Sequence, residues 1–312
     1  MKRLFILASA AIVALASCSK TQVVYNDAPE EIGFKAVTGV MTKANLDGEI
    51  TLGVFAEHNS VDPVTTNSYF DNKPFADTDH DNVWSGSQYW PIQGTLDFTF
   101  YAPHISSGTI PTYDNDTKTL TITVPNNQST QTDYLYGTTR PMGKTKDGGN
   151  VSVTLKHALA MVKVTIKANK ENVYTVKSIK LNNTIQDGTI KVQYADNGTS
   201  CTLTTSTTGS SSVYNVKEFV TAPVALATTD TTPLDAFYYV FPNTVPTSFT
   251  ITYNIAGGSG DLTGTVTLGT GLWESGKQYV YNLTLTANEI LVSPEVVDNW
   301  DTGTVDATYP II

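Results

Sequence analysis

Apolar and polar side chains alternate with a period of two along many short segments of this chain. In one of them, apolar residues at 162, 164 and 166 alternate with Lys163, Thr165 and Lys167. A strand with this period turns one face toward a core and the other toward solvent. Turn-forming residues such as Asp147-Gly148-Gly149 separate the segments, and short strands at this spacing favour β-sandwiches over an α/β sheet. The pattern therefore predicts an all-β protein. The same alternation recurs at residues 120–124, 190–194, 249–255 and 279–285.

The length of the chain and one polar segment predict two β-sandwich domains. At roughly 150 residues per domain, a chain of this length suits two domains after removal of a leader. The segment Ala168-Asn169-Lys170-Glu171-Asn172 is polar and follows a strongly alternating strand, so we place the boundary there. We expect an N-terminal domain at 32–170 and a C-terminal domain at 171–312. The residues expected in the first core are Val162, Val164 and Ile166, and those in the second are Tyr279, Tyr281, Leu283 and Leu285.

The first eighteen residues have the parts of a secretory signal. A cationic start, Met1-Lys2-Arg3, precedes an apolar run that ends at Leu15, and small residues follow. The run is too short to cross a bilayer, which needs roughly 20 apolar residues. Leu15-Ala16-Ser17-Cys18 resembles the lipobox of bacterial lipoproteins. That resemblance implies a signal peptide at 1–17, lipid on Cys18 and a lipidated linker at 18–31; the alternative is ordinary signal cleavage beside an incidental Cys.

The charge of the chain excludes nucleic acid as a partner and makes lipid the means of attachment to a membrane. Loss of Lys2 and Arg3 reduces 19 basic residues to 17 against 29 acidic ones, which gives a net charge of −12. Nucleic-acid binding needs clustered Lys and Arg, and an anionic bilayer repels a chain of this charge. With Cys18 acylated, Cys201 is the one thiol left, so the folded protein contains no internal disulfide.

Motifs for catalysis and for a cofactor are missing from the sequence. It contains no Gly-x-Ser-x-Gly elbow, no His-Glu-x-x-His and no P-loop. The four His residues, at 58, 80, 104 and 157, lie too far apart in sequence to pair as metal ligands. We therefore predict a protein that is not an enzyme and that carries no cofactor.

An acidic loop gives a weak indication of a calcium site. Asp77, Asp79 and Asp81 occupy alternate positions, as at the start of an EF-hand loop. The sixth and twelfth positions, which need Gly and Glu, hold Asn82 and Gln88. A solvated acidic loop without metal is the favoured interpretation.

Three aromatic residues close together allow a ligand platform. Trp84, Tyr89 and Trp90 could stack on a glycan or on another ligand of a host or bacterial surface. Clustered aromatic residues in a β protein more often belong to its core. Both interpretations stay open at the level of sequence.

Seven segments, spread in order from residue 32 to residue 300, carry a resemblance to one known family. Two of them are the most specific: Tyr89-Trp90-Pro91 with residues 96–103 (LDFTFYAP), and residues 155–160 (LKHALA). The others are 32–36 (IGFKA), 42–44 (TKA), 174–181 (YTVKSIKL), 276–283 (GKQYVYNL) and 297–300 (VDNW). Together these segments resemble the fimbrillin family, the pilins and related lipoproteins of Bacteroidales.

The resemblance implies a fold and a route of assembly. It implies two transthyretin-like β-sandwich domains and a lipoprotein exposed at the outer membrane or in a fimbrium. A protease would cut between Lys43 and Ala44 and remove the first strand, which carries Ile32, Phe34 and Ala36. A strand from another pilin subunit would then fill the gap. The alternative function is a lipid-anchored binding protein or adhesin that does not polymerise.

The C-terminal tail at 301–312 is a candidate for the strand that a neighbour donates. Apolar residues fall on one face of an extended tail, whereas Asp306 and Thr308 fall on the other. A frayed terminus is usually polar, so this pattern favours insertion into a partner. The alternative is that the tail forms the last edge strand of its own domain, a place that tolerates Pro310. The apolar residues are Val305, Ala307, Tyr309 and Ile311.

Overall fold

The computed structural model contains β-strands and no helix in the part of the chain that it describes. The all-β prediction is confirmed. No described helix could cross a bilayer. The described residues are 29–36, 50–61, 63–79, 81, 83–125, 132–143, 150–170, 173–185, 188–195, 201–206, 214–220, 223–228, 232–241, 247–269, 273–286 and 289–298.

The strands form where the alternating segments lie. In the segment 119–124, for example, Leu120, Ile122 and Val124 are buried, and the three Thr residues that alternate with them are half-buried. The strands are β1 (Glu31–Ala36), β2 (Leu52–Val61), β3 (Val64–Phe75), β4 (Val83–Tyr89), β5 (Thr95–Ala102), β6 (Thr112–Asp114), β7 (Thr119–Val124), β8 (Leu135–Met142), β9 (Asn150–Val153), β10 (Lys156–His157), β11 (Ala160–Ala168), β12 (Tyr174–Ile185), β13 (Gly188–Tyr194), β14 (Cys201–Ser206), β15 (Tyr214–Val220), β16 (Val224–Ala225), β17 (Thr232–Val240), β18 (Thr247–Ile255), β19 (Leu262–Gly269), β20 (Lys277–Leu285) and β21 (Ile290–Asp298).

Two sheets enclose the core that contains the first strand. A three-stranded sheet has the order β4-β1-β9, and a five-stranded sheet has the order β10-β8-β5-β2-β3. Their apolar faces pack on each other, which is how a sheet with one apolar face removes it from water. The largest side chains buried between them are Phe34, Phe70, Phe75, Phe98, Phe100, Trp84 and Trp90.

Two further sheets enclose the core of the C-terminal strands. One has the order β17-β11-β20-β21, and the other has the order β15-β12-β18-β19 with β16 beside β12. Tyr279, Tyr281, Leu283 and Leu285 project from β20 into this core and are at most 5% exposed, as the alternation predicted.

The fifth sheet joins strands from both sides of the expected domain boundary. Its order is β14-β13-β7-β6, with Ile190 of β13 opposite Ile122 of β7. A third apolar cluster lies beneath it and includes Phe55, Tyr101 and Phe241.

The boundary near residue 170 therefore does not separate the sheets. Strand β11 pairs with β20, where Val162 lies opposite Tyr279, and Val162, Val164 and Ile166 are buried in the C-terminal core. Their burial was predicted correctly, but their assignment to the first core was wrong. The physical reason is that alternation specifies which face of a strand is buried and leaves its neighbour in the sheet undetermined. The identification of the sandwiches as transthyretin-like stays a prediction.

Candidate functional site

The first strand is the central strand of a small sheet and lies in a groove between two others. It pairs antiparallel with β4, where Phe34 lies opposite Trp84, and parallel with β9, where Phe34 lies opposite Val151. The backbone N–H of Ser87 donates to the Glu31 carboxylate at 2.8 Å, which fixes the start of the strand. The short strand β1 is thus paired along both of its edges. We call the space that it fills between β4 and β9 the β1 groove.

Two side chains of β1 project into the core from the bottom of this groove. Ile32 and Phe34 have no solvent exposure. The ring of Phe34 lies edge to face with Phe75, Phe98 and Phe100, with centroids 4.8–5.0 Å apart. Such pairs stabilise by about 0.5–1.5 kcal/mol each beyond the burial of area. The Phe34 position is therefore the main point of attachment of β1 to the core.

Between these two side chains the groove is narrow. A Cβ atom at Gly33 would lie 2.1 Å from the Asn150 side-chain oxygen and 3.1 Å from a Val83 methyl carbon. A glycine at this point lets the strand lie flat against its neighbours. The Asn150 side chain is exposed and is attached to an edge strand, so its end can move aside for a larger residue.

The other residues of the predicted assembly apparatus lie largely outside the described residues. These are Cys18, Lys43, Ala44 and the tail with Val305, Ala307, Tyr309 and Ile311. Ala36 is the last residue of β1 and lies opposite Val153 in the register. The displacement of Ile32, Phe34 and Ala36 stays a prediction.

The aromatic platform predicted as one alternative is not formed. Trp84 and Trp90 are 4% and 7% exposed and belong to the core, where the Trp84 indole donates to the Ile50 carbonyl at 2.9 Å. The Trp90 ring meets Phe98 edge to face. Tyr89 alone is exposed, at 46%. The reason is the strand pleat, which turns Trp84 inward and Tyr89 outward along β4.

The three aspartates come together in the turn between β3 and β4. Oxygens of Asp77, Asp79 and Asp81 lie within 4.8 Å of one another, with Asp77 buried and the other two exposed. The Asp81 N–H donates to the Asp77 carboxylate at 3.1 Å, and the Val83 N–H donates to the Asp81 carboxylate at 2.8 Å. Oxygen ligands of this kind suit Ca²⁺, but the same hydrogen bonds also form the turn that leads into β4. Calcium binding stays a prediction.

A buried ionic cluster, which the sequence did not indicate, lies where the five-stranded sheet meets the β14-β13-β7-β6 sheet. Glu57 of β2 and Arg140 of β8 have side chains that are 1% exposed, with 3.4 Å between their charged atoms. The ammonium group of Lys118 and the hydroxyl of Tyr113 donate to the same carboxylate. Each charge of the Glu57–Arg140 pair thus has partners, as burial requires.

Further hydrogen bonds and a ring contact give partners to the N–H groups and the charge of the Arg140 guanidinium. It donates to Thr99 and to Thr138, each at 2.8 Å, and its centre lies 5.3 Å from the Tyr194 ring centroid. Burial raises the pKa of Tyr113 to about 12, so that this phenol stays a neutral donor. Burial also raises the pKa of Asp97, which lies 4.0 Å from Arg140. The arrangement fixes two sheets against each other.

Comparisons with known proteins identify a matching family and solved structures with a similar fold. A family model described as "Fimbrillin-like" matches residues 38–300. A fimbrial protein from Bacteroides vulgatus ATCC 8482 has a similar structure, with a TM-score of 0.65 and 18% identity over 86% of this chain and 99% of that one. A candidate cell adhesion protein from Bacteroides uniformis ATCC 8492 has a TM-score of 0.51 and 18% identity, over 86% and 98% of the two chains. No curated protein matches the chain.

Proposed function

The chain belongs to the fimbrillin-like family, and from that premise we propose that it is a structural subunit of a cell-surface pilus, assembled by strand exchange. The family itself supports a pilus subunit or an adhesin. It is a family of structural proteins, which also supports a role without catalysis.

The single observation that carries strand exchange is the position of β1. This strand fills a groove between β4 and β9 and contributes two fully buried side chains, Ile32 and Phe34. Lys43 follows the end of β1 by seven residues, so a cut there would leave β1 attached to the body only through non-covalent contacts. Its departure would expose two strand edges and two side-chain positions. An extended peptide binds such a groove through backbone hydrogen bonds and alternate side chains.

Export as a lipoprotein is the second part of the proposal. The leader with its cationic start, short apolar run and Cys18 supports it. Acyl chains contribute about 0.8 kcal/mol per buried methylene, so several chains on Cys18 would hold a precursor of net charge −12 at the outer membrane. The lipid partner would be the bilayer, and the protein partners would be other pilin subunits of the same or a different kind.

The alternative, a lipid-anchored protein that binds a glycan or a host ligand without polymerising, has less support. Such a protein would bind its ligand on exposed aromatic rings, whereas the two indoles of Trp84 and Trp90 are buried. The two functions differ in whether the chain forms a fibre.

Electron microscopy of the expressing cells tests the proposal. Antibody against the folded domain, coupled to gold, should label fibres along their length or at one end, and deletion of the gene should remove that label. Restoring the wild-type gene is the control. Gold confined to the cell surface, with an unchanged fibre population after deletion, would contradict the proposal and favour the monomeric binding protein.

A further inference from the structure

The first half of β3 is a sheet edge without protection. Strand β3 is the last strand of the five-stranded sheet, and among the strands that the structure describes it pairs with β2. Its register against β2 is regular from Val64 to Ser68, and these five residues are uncharged and exposed. Such a strand presents backbone N–H and C=O groups to a further chain. We call the segment Val64–Ser68 the β3 edge.

The second half of the same strand is protected. The register against β2 shifts twice between Ser68 and Lys73, which marks bulges that bend the strand. Asp71 and Lys73 place charges along it, and Pro74 has no N–H to donate. Bulges, charges and proline are the features that keep a natural edge strand from pairing with another chain. None of them lies within the β3 edge.

The β3 edge also extends beyond the support of its own sheet. Strand β5 pairs with β2 only as far as Asn59, so from Ser60 onward β2 and β3 form a two-stranded ribbon. A ribbon of two strands has little stability by itself. Hydrogen bonds within it hold the extended conformation: the Thr66 hydroxyl donates to Asn59 Oδ1 at 2.8 Å, and the Thr65 N–H donates to Ser60 Oγ at 3.2 Å. A further strand would therefore meet an edge that is already ordered.

A second copy of this chain suits the β3 edge as its partner. Two copies of net charge −12 repel each other, and a contact between them is least costly where neither contributes a charge. Antiparallel pairing of the edge with itself around a two-fold axis at Thr66 puts Thr66 opposite its own copy, Thr65 opposite Asn67, and Val64 opposite Ser68. Pairs of Thr across two strands stabilise a sheet, and no pair in this register carries a charge.

We propose that the β3 edge is a lateral contact between two copies, which pair antiparallel through it and join their five-stranded sheets into one continuous sheet. The contact is isologous, with Thr66 on the two-fold axis. It does not depend on strand exchange, because β3 and β1 belong to different sheets. Pairing of five residues is small beside the roughly 1,200–2,000 Å² that stable interfaces bury. The contact therefore acts where many copies are held side by side, on a membrane or along adjacent fibres.

Disulfide trapping of uncut protein tests the contact and its register. Directly opposite residues of an antiparallel pair have Cα atoms about 4.5–5.5 Å apart, which a disulfide can bridge. The trap is Thr66→Cys in protein that lacks residues 1–18 and carries Cys201→Ser, so that one thiol is present. Lys73→Cys in the same background is the control for random collision, since Lys73 is exposed on the protected half of β3. Asn67→Cys is the control for register, because the two copies of residue 67 would be diagonal neighbours about 7–8 Å apart.

We expect oxidation at high protein concentration to convert Thr66→Cys into a covalent dimer on a denaturing gel, and to leave Lys73→Cys and Asn67→Cys monomeric. Adding Thr65→Lys to the Thr66→Cys protein should abolish the dimer, because a lysine on an edge strand blocks pairing. Urea unfolding curves check that each variant is folded. Absence of dimer from folded Thr66→Cys, or as much dimer from either control, would overturn the proposed contact. Fibre formation by wild-type protein is measured separately, so that result would leave the pilin function intact.

Discussion

The ring of Phe34 meets the ring of Phe98 edge to face, with 5.0 Å between centroids and 81° between planes. Phe75 and Phe100 contact the same ring, and Phe34 is fully buried. Phe34→Ala in the uncut protein should therefore lower the free energy of unfolding by about 3–5 kcal/mol. The matched control is Phe237→Ala, because Phe237 is 39% exposed and its removal should cost far less. Urea unfolding of both variants provides the comparison, and equal losses would contradict the role given to Phe34.

The buried Glu57–Arg140 pair should behave as a coupled unit. Arg140→Met leaves the Glu57 carboxylate without its guanidinium partner, and a loss of about 3–5 kcal/mol in the free energy of unfolding is expected. The double variant Glu57→Gln with Arg140→Met should lose less than the sum of the single variants, since removal of both charges leaves neither one unpaired.

An exposed ion pair gives the control for that cycle. Lys177 and Asp261 lie 3.7 Å apart with side chains 41% and 50% exposed. Lys177→Met should change the free energy of unfolding by no more than about 1 kcal/mol. If the loss in the Glu57→Gln, Arg140→Met double variant equalled the sum of the losses in the two single variants, the buried cluster would not act as a unit.

Asp97 should make the stability depend on pH. Burial raises its pKa in the folded protein above the ordinary aspartate value of 3.8. The folded state then binds a proton at Asp97 more tightly than the unfolded state does. Protonation of Asp97 therefore increases the free energy of unfolding as the pH falls through the raised pKa, and the increase is complete below about pH 3.8. Asp97→Asn should be stabilised relative to wild type at neutral pH, with the difference vanishing below that value. Urea unfolding at several pH values measures it, and a difference independent of pH would contradict the prediction.

Attachment through Cys18 has a direct test in the expressing cell. Labelled palmitate should enter the wild-type protein and fail to enter Cys18→Ser, which should also leave the membrane fraction. Cys201→Ser is the control and should keep both the label and the attachment, because this thiol lies within the folded body. Label retained by Cys18→Ser would refute the lipoprotein assignment.

Local patterning of the sequence was sufficient to identify individual strands. The alternation at Leu120, Ile122 and Val124 predicted a strand with one buried face, because the pleat places every second side chain on the same side. The neighbours of that strand were not predictable in this way. Strand β13 pairs with β7 across the expected domain boundary, and no property of either strand alone encodes that choice.

The candidate site could be predicted from the sequence only in part, because its residues come together through the packing of separate strands. The importance of Ile32 and Phe34 came from a family resemblance, whereas the two indoles of the supposed platform, Trp84 and Trp90, belong to the core. Glu57 was overlooked because its cation, Arg140, lies 83 residues away and joins it only through the packing of two sheets. A carboxylate directly after the buried run at 52–56 of β2 is the signal that could have indicated a buried partner.

The most direct test of the account is polymerisation of purified protein, without its leader, after a protease cut at Lys43. We expect cut wild-type protein to form fibres visible by electron microscopy. Lys43→Ala treated with the same protease should stay monomeric, and so should cut protein that lacks residues 301–312. Folding of each variant is checked by its urea unfolding curve. Fibres formed equally well by Lys43→Ala, or by the protein without its tail, would contradict the claim that β1 leaves and that the tail of a neighbour replaces it.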